Sequence, residues 1–274
     1  MNWETPMPAD ALVGLATFVG AHALAVFLAL LVLLLLLVAL GRWLLRSRLL
    51  PQAQSRLGPV ALVVVSAALG FALVLGAAWL FAEIAEALGP GEAMPLADAA
   101  LTASIRAHVA PAVLAVFAVL THFGDTITLA LLSTGVALLL WWQRQRALAL
   151  GWVLALGGNA LLNPMLKRVF ERVRPVHEHG LVNEIGWSFP SGHTSGATVA
   201  YGMLAYVALR TLPQRWHAPV VLMATALAFT VGCSRVFLQV HFASDVLAGF
   251  ASGAAWLTVC IASLELARAY RPRA

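Results

Sequence analysis

Long apolar segments recur along this chain, and they limit what it can fold into more than any other feature. From residue 11 to residue 40 no charged residue occurs, and only His22 interrupts the apolar run. Hydrophobic residues make up 61% of the 274 residues and charged residues only 11%, unlike an average soluble domain. Segments of about 20 apolar residues cross the hydrocarbon core of a bilayer as helices. The sequence therefore predicts an all-α, polytopic transmembrane helical bundle.

The hydropathy pattern predicts a set of spans and one helix that does not cross the bilayer. The predicted spans lie near 20–42, 58–82, 125–142, 147–166, 191–210, 218–236 and 241–265. Residues 107–120 are apolar but short, and Pro111 lies within them, so we expect an interfacial or re-entrant helix there. The acidic stretch 83–98 contains Pro and Gly and is predicted to be an external loop.

Basic residues cluster in the breaks between the spans and predict the orientation of the chain. The clusters are Arg42, Arg46, Arg48 and Arg56, then Arg144 and Arg146, then Arg210 and Arg215, and finally Arg268, Arg271 and Arg273. Cytoplasmic loops are enriched in Arg and Lys, so the N-terminus is predicted outside. The net charge of +5 is explained by these clusters, and nucleic-acid binding is not expected.

The spans and the basic clusters together predict three parts of the chain. Residues 1–57 form an extra N-terminal span with a basic cytoplasmic loop, residues 58–266 a six-span core, and residues 267–274 a basic cytoplasmic tail. All three parts belong to one membrane domain, because the polar breaks between the spans are short.

The first of three polar clusters pairs Lys167 with Arg174, at a predicted external boundary. The two cations would share one helix face if the helix continued through both, and Pro175 is expected to end it. Cations are few on the external side, so an anionic partner is favoured, although a basic cap on a span explains them as well. Arg168 and Arg172 fit that second explanation better.

The second cluster is the sequence PSGH at residues 190–193, where a predicted span begins. The N–H groups and the dipole at a helix N-terminus attract anions, and Gly192 would let a phosphate oxygen approach the backbone. Ser191 could equally be an ordinary N-cap, and Gly192 could pack with Gly196 against another helix. His193 in the first turn of a span is costly unless it is paired or used.

The third cluster contains Ser234, Arg235, His241 and Asp245. His241 and Asp245 are four residues apart, so on a helix the carboxylate can accept the Nδ1 proton and leave Nε2 unprotonated. The pair could also merely satisfy two buried polar groups. Residues 194–233 suffice for one pass inward and one pass back, so the three clusters are predicted to meet at the external interface.

Together these residues resemble the type 2 phosphatidic acid phosphatase superfamily. Residues 167–175 fit KxxxxxxRP, residues 190–193 fit PSGH, and residues 234–245 fit SRxxxxxHxxxD. The resemblance implies a bacterial integral-membrane lipid phosphatase with a six-helix core and, here, one extra N-terminal span. It also implies a place in the bacterial cell (inner) membrane, where the predicted topology gives an active site that faces the periplasm or outside.

The resemblance also implies a role for each matching residue. His241 would be the nucleophile that forms a phosphohistidine, Asp245 would orient it, and His193 would be the general acid and then the base toward water. The phosphate would be held by Lys167, Arg174 and Arg235 with the backbone at Ser191 and Gly192. No metal ion or other cofactor is implied.

Other polar residues allow more than one interpretation. His177 and His179 form an HxH pair, with Glu178 and Glu184 nearby, that could hold a metal ion. No third ligand is evident, so a loop over the lipid head group is preferred. Asp98 and Asp125 could organise the outer face, or they could be solvated loop residues.

The lipid substrate and the competing functions stay open at this point. Family analogy favours undecaprenyl pyrophosphate, with phosphatidylglycerol phosphate, phosphatidate and lipid A phosphates as alternatives. Vanadium haloperoxidases share the signatures but are soluble. A transporter or flippase for an anionic lipid would explain the cations, but not two histidines in the positions of an acid and a nucleophile. The sequence makes no prediction of oligomeric state.

Overall fold

The computed structural model describes residues 8–89, 91–176, 180–182 and 184–269, and its regular structure there is entirely helical. The helices are α1 (Ala9–Ala21), α2 (Ala23–Leu44), α3 (Leu50–Arg56), α4 (Pro59–Glu86), α5 (Ala93–His108), α6 (Pro111–Leu120), α7 (Thr126–Trp142), α8 (Arg146–Phe170), α9 (Gly192–Thr211), α10 (His217–Phe237) and α11 (Ala243–Ala269). A π-helical turn, Leu45–Leu49, joins α2 to α3. Short 3-10 turns, Thr121–Gly124 and Gln214–Trp216, precede α7 and α10. The all-α prediction is confirmed.

Five helices in the described ranges are long and apolar enough to cross a membrane. They are Ala23–Arg56, Val60–Glu86, Arg146–Phe170, Gln214–Phe237 and Ala243–Ala269, and they coincide with five of the predicted spans. The other two predicted spans are helices as well, but α7 has only 17 residues. The second of these two helices, α9, packs against α7, α8, α10 and α11. Its small and polar side chains therefore face other helices and not lipid, so α9 is less apolar than the other spans.

Two predicted loops are largely helical. The basic segment after the first span continues as a helix to Arg56. The external loop predicted at 83–98 is shorter than expected, because α4 runs to Glu86 and α5 begins at Ala93. As a result, Asp98 lies within a helix and is buried.

Breaks divide two of the apolar runs. The run from residue 11 to residue 40 is interrupted at His22, where α1 ends and α2 begins, so it does not form one over-long helix. Ala93–His108 and Pro111–Gly124 meet at an angle of 117°. Pro111 begins α6, a position where its missing N–H leaves no helical hydrogen bond unmade. Such a bend is typical of a broken span or a re-entrant loop, which agrees with the helix expected at 107–120.

Helices α8 to α11 carry the three polar clusters to one end of the bundle. The backbone N–H of Ser191 donates to the carbonyl oxygen of Asp245 at 3.0 Å, which joins the N-terminal ends of α9 and α11. At their other ends, Arg210 Nη1 lies 3.5 Å from Glu265 Oε1. Since α9 has 20 residues, these two contacts lie about 30 Å apart along the bundle.

Glycines let α9 and α11 approach closely at the end that carries the clusters. A Cβ atom on Gly249 would lie 2.8 Å from the carbonyl oxygen of Ser191 and 2.9 Å from Thr194 Cβ. A Cβ atom on Gly253 would lie 3.0 Å from the carbonyl oxygen of Ser195. This close approach allows the backbone hydrogen bond between Ser191 and Asp245, so packing sets the distance between the PSGH segment and the start of α11.

We expect Gly249→Ala to lower the midpoint of thermal unfolding in detergent, because the new methyl group overpacks the contact with α9 at a cost of about 1–3 kcal/mol. The matched control is Gly76→Ala in α4, where a Cβ atom would meet nothing within 4 Å. Equal unfolding midpoints for the two variants would contradict the close packing of α9 and α11.

Candidate active site

The three clusters meet at one end of the bundle around the carboxylate of Glu184. Arg235 forms an ion pair with Glu184 through Nη2. Arg174 Nη2 lies 3.8 Å from Glu184 Oε2, and His193 Nε2 lies 3.8 Å from Glu184 Oε1. Arg174 also places Nη1 3.0 Å from His241 Nε2. One residue or more of each signature therefore lies at the same site.

His241 lies in the turn before α11, and its imidazole is almost fully buried. His241 Nδ1 is 3.4 Å from Asp245 Oδ2 and 3.2 Å from Ser188 Oγ. The hydroxyl of Ser188 donates to the same carboxylate oxygen at 2.5 Å. The expected pair is present, but its contact is long because His241 precedes the helix. Ser188, which the signatures do not include, is a second partner for the pair.

The environment of His241 favours the neutral imidazole. Burial lowers its pKa to about 3, against the opposing effect of Asp245, and the cations Arg174 and Arg235 act in the same direction as burial. Because Nε2 faces a guanidinium N–H, the remaining proton lies on Nδ1, toward Asp245 and Ser188. His241 is therefore a neutral base whose Nε2 lone pair points to the cations.

The carboxylate of Glu184 occupies a pocket lined by positive groups. Burial alone raises the pKa of this carboxyl, but Arg235, followed by His193 and Arg174, outweighs burial and brings the pKa below its usual value. Glu184 is therefore ionised, and its side chain is 22% exposed. Its position shows where these groups accommodate an anion.

His193 is held by a carboxylate from another part of the chain. Asp125 Oδ1 lies 2.8 Å from His193 Nε2, and Asp125 Oδ2 lies 2.6 Å from His122 Nδ1. Burial raises the pKa of Asp125, but hydrogen bonds to His122 and His193 outweigh burial and lower it. Of the two interpretations of Asp125, the structure agrees with an organising role, because its carboxylate holds two imidazoles at this site.

Arg235 is fully buried at the end of α10. Its Nη1 donates to Thr121 Oγ1 at 2.6 Å, and its Nη2 contacts Glu184. Its Nε has no hydrogen-bond partner within the part of the chain that the structure describes. The neighbouring Ser234 hydroxyl donates to the carbonyl oxygen of Val231 at 2.6 Å, within its own helix. Arg235 is thus the residue of this signature pair that faces the anion pocket.

The helix that carries Lys167 ends sooner than predicted. α8 stops at Phe170, and Glu171 has a left-handed conformation with φ 44°. Arg174 therefore lies on a non-helical segment, and the expectation that it shares a helix face with Lys167 is wrong. Lys167 Nζ instead donates to the carbonyl oxygen of Trp187 at 2.8 Å, and Arg174 Nε donates to that of Gly186 at 3.0 Å. Both cations hold the same short loop beside the pocket.

Ser191 and Gly192 have structural contacts that the anion-binding interpretation did not include. Ser191 is the N-cap of α9, and its Oγ accepts a hydrogen bond from the backbone N–H of Thr194 at 3.4 Å. A Cβ atom on Gly192 would lie 2.9 Å from Asn163 Oδ1. The N-cap interpretation of Ser191 is therefore confirmed, and glycine at 192 is required by α8. A role for either backbone in binding phosphate stays a prediction.

Arg172 and Asp98 form an ion-pair network that the sequence interpretation missed. Arg172 Nη1 lies 2.6 Å from Asp245 Oδ1, and Arg172 Nη2 lies 2.9 Å from Asp98 Oδ2. The assignment of Arg172 as an interfacial cap and the alternative of Asp98 as a solvated loop residue are both wrong. One signal was available: Asp98 is the only charged residue between Ala93 and Ile105, and a lone carboxylate in an apolar helix needs a partner.

The HxH pair proposed as a metal site lies at residues 177–179, outside the described residues. Among the residues that are described, no group of three or more His, Cys, Asp or Glu side chains could hold a metal ion.

Known proteins with similar sequences and structures identify the family. The PAP2 superfamily matches residues 146–268. The crystal structure of a transmembrane PAP2 type phosphatidylglycerolphosphate phosphatase from Bacillus subtilis is similar with a TM-score of 0.68 and 32% identity, covering 72% of this chain and 98% of that one. The chain belongs to the PAP2 superfamily. The predicted family and the predicted multi-pass membrane fold are confirmed.

Two curated proteins are similar to this chain over part of their sequences. Phosphatidylglycerophosphatase B of Bacillus subtilis (strain 168) is 38% identical over 136 residues, which is 49% of this chain and 66% of that protein. Lipid A 1-phosphatase of Rhizobium johnstonii is 31% identical over 113 residues, which is 38% of this chain and 42% of that protein. Each match spans less than two thirds of the relative.

We expect Glu184→Gln to bind inorganic phosphate about tenfold more tightly than the native protein, because one competing negative charge leaves the pocket. Isothermal titration in detergent measures this affinity. Glu171→Gln is the matched control, since Glu171 is exposed at the end of α8. Unchanged affinity in Glu184→Gln would mean that this carboxylate does not occupy the phosphate position.

Proposed function

We propose that this protein is an integral-membrane phosphatase that hydrolyses a phosphate ester of a lipid through a phosphohistidine on His241. The observation that carries the proposal is the arrangement of two imidazoles around one anion pocket. His193 Nε2 lies 3.8 Å from one oxygen of Glu184. His241 Nε2 contacts the same Arg174 guanidinium that faces the other oxygen. A phosphate in place of that carboxylate would lie between a nucleophile and an acid.

Positive groups supply the charge stabilisation that phosphoryl transfer requires. The transition state spreads negative charge over the equatorial oxygens, so fixed cations and N–H groups provide most of the catalysis. Arg235 offers an Nε–H that has no partner among the described residues, in addition to the Nη2 that contacts Glu184. Lys167 and Arg174 exchange their loop carbonyl partners for phosphate oxygens. These three side chains replace the metal ion that many phosphotransferases use.

The chemistry follows from the two imidazoles. His241 Nε2 attacks phosphorus while the bond from phosphorus to the lipid oxygen breaks. That oxygen takes the Nε2 proton of His193, in place of Asp125 Oδ1, which lies 2.8 Å from the same nitrogen. Asp245 keeps the remaining proton on Nδ1 and stabilises the positive charge that His241 acquires. Water then attacks phosphorus, its proton passes to His193, and the bond between phosphorus and Nε2 breaks. Phosphate leaves and both imidazoles return to their first state.

The arrangement of charge supports a site on the external face. Arg46 Nη2 lies 2.9 Å from His217 Nδ1, at the end of α10 opposite Arg235. The ion pair between Arg210 and Glu265 also lies at this opposite end. Basic clusters mark the cytoplasmic side, so the pocket would face the periplasm of a bacterial inner membrane.

Phosphatidylglycerol phosphate is the first substrate that we propose. Support comes from a sequence match and a structural match in Bacillus subtilis, whose names both specify a phosphatase of this lipid. Lipid A 1-phosphate is the second candidate, after the name of the Rhizobium relative. Undecaprenyl pyrophosphate, which family analogy favours from the sequence alone, and phosphatidate complete the set to be tested.

Phosphate release from these four lipids by the detergent-solubilised protein tests the proposal. We expect release from at least one lipid, without a membrane gradient and in excess EDTA. His241→Ala should reduce the rate to background, and His193→Ala should reduce it about 10²- to 10⁴-fold. No release from any lipid would favour a transporter, and strict dependence on Mg²⁺ would contradict the metal-free mechanism.

Rapid quenching tests the assigned roles of the two histidines. With ³²P-labelled substrate, we expect an acid-labile phosphate on the peptide that contains His241. Phosphate recovered on His193 would reverse the roles.

We expect Asp125→Asn to move the alkaline limb of the activity profile to lower pH by about one unit. Asp125 favours the protonated form of His193, so without its charge the acid loses its proton at a lower pH. The measurement is kcat/KM between pH 5 and pH 9, and the control is Asp10→Asn, an exposed aspartate in α1. An unchanged alkaline limb would exclude Asp125 as the partner of the acid.

A further inference from the structure

We infer that Arg172 and Asp98 are positioning residues for the nucleophile His241, acting through Asp245. The inference rests on the phosphatase function proposed above. It adds two residues outside the family signatures, one of which lies in α5 and thus outside the matched segment 146–268.

The two oxygens of Asp245 have separate partners. Oδ2 faces His241 and accepts hydrogen bonds from Ser188 Oγ at 2.5 Å and from the backbone N–H of Phe242 at 2.8 Å. Oδ1 lies 2.6 Å from Arg172 Nη1. The carboxylate that orients the nucleophile is therefore fixed from both sides, and Arg172 holds the side away from the imidazole.

Arg172 is itself fixed by Asp98. Its Nη2 donates to Asp98 Oδ2 at 2.9 Å, and its Nη1 donates to Ser244 Oγ at 2.7 Å. Asp98 Oδ1 accepts the backbone N–H of Ser244 at 3.2 Å. The guanidinium also lies over the ring of Phe242, 4.3 Å from its centroid. Asp98 thus connects α5 to the first turn of α11, next to the nucleophile.

The network is buried, so its charge balance matters. The side chains of Arg172, Asp98 and Asp245 are 15%, 5% and 0% exposed. Two carboxylates and one guanidinium leave one net negative charge beside His241. Without the guanidinium, two buried carboxylates would face each other, and one would take up a proton. Asp245 would then no longer serve as a fixed acceptor for Nδ1 of His241.

The geometry requires arginine rather than any cation. The planar fork of a guanidinium donates to two acceptors at once, whereas the single nitrogen of a lysine cannot occupy both positions. Arg172 uses one nitrogen for Asp245 and Ser244 and the other for Asp98. Its two terminal nitrogens are thus directed to this network, unlike Arg174, which contacts Nε2 of His241 directly.

The test uses detergent micelles and whichever of the four lipids above the native protein hydrolyses. It measures kcat and KM with Arg172→Gln, Asp98→Asn and the double variant. Arg172→Gln should lose about 10- to 100-fold in kcat with KM within about twofold, as for outer partners of other active-site ligands. The double variant restores one net negative charge and should regain at least half of that loss on a logarithmic scale. Arg168→Gln, an exposed arginine in the last turn of α8, is the matched control and should retain native activity.

Each outcome decides between defined alternatives. A double variant as inactive as Arg172→Gln, or a loss confined to KM, would overturn the inference and indicate that Arg172 binds substrate. Should Arg172→Gln fail to fold, Arg172→Lys keeps the charge without the fork, and native kcat in that variant would overturn it as well. A native protein that releases no phosphate contradicts the proposed function instead.

Discussion

The cost of burying ionised groups governs the arrangement of this site. Removing a carboxylate or a guanidinium from water costs several kcal/mol unless a partner compensates for the lost hydration. Glu184 is accordingly paired with Arg235, and Asp245 and Asp98 share Arg172. Each pairing joins segments that are far apart in the sequence. The ends of α5, α8, α10 and α11 are therefore held together by charge compensation as well as by apolar packing.

Much of the bundle follows from periodicity and hydropathy. The five long apolar helices were predictable because each must satisfy its own backbone inside the bilayer. The break at His22, the early end of α8 at Phe170 and the helical segment up to Arg56 were not predictable. These boundaries depend on tertiary contacts, such as those of the loop that Lys167 and Arg174 hold, which a local pattern does not contain.

The site was predictable only where a pairing is local or a signature fixes it. The contact of His241 with Asp245 follows from a spacing of four residues, and the convergence of the signatures follows from counting passes through the membrane. The contacts of Asp98 with Arg172 and of Asp125 with His193 span 74 and 68 residues. Nothing in the local sequence specifies these partners, because they depend on how α5 and α7 pack against the core.

The two aspartate–histidine pairs explain how one site can use imidazole in two roles. Asp245 is fully buried and shares its charge with Arg172, and burial together with Arg174 and Arg235 outweighs its attraction for a protonated His241, so His241 stays neutral. Asp125 is 34% exposed and is bound by two imidazoles instead of a guanidinium, so its charge is available to a protonated His193. The two imidazoles therefore differ in the partners of their carboxylates, and this difference supports the proposed roles of nucleophile and acid. In this chain the guanidinium of Arg172 binds the aspartate beside His241, whereas the aspartate beside His193 is bound by the imidazoles of His122 and His193.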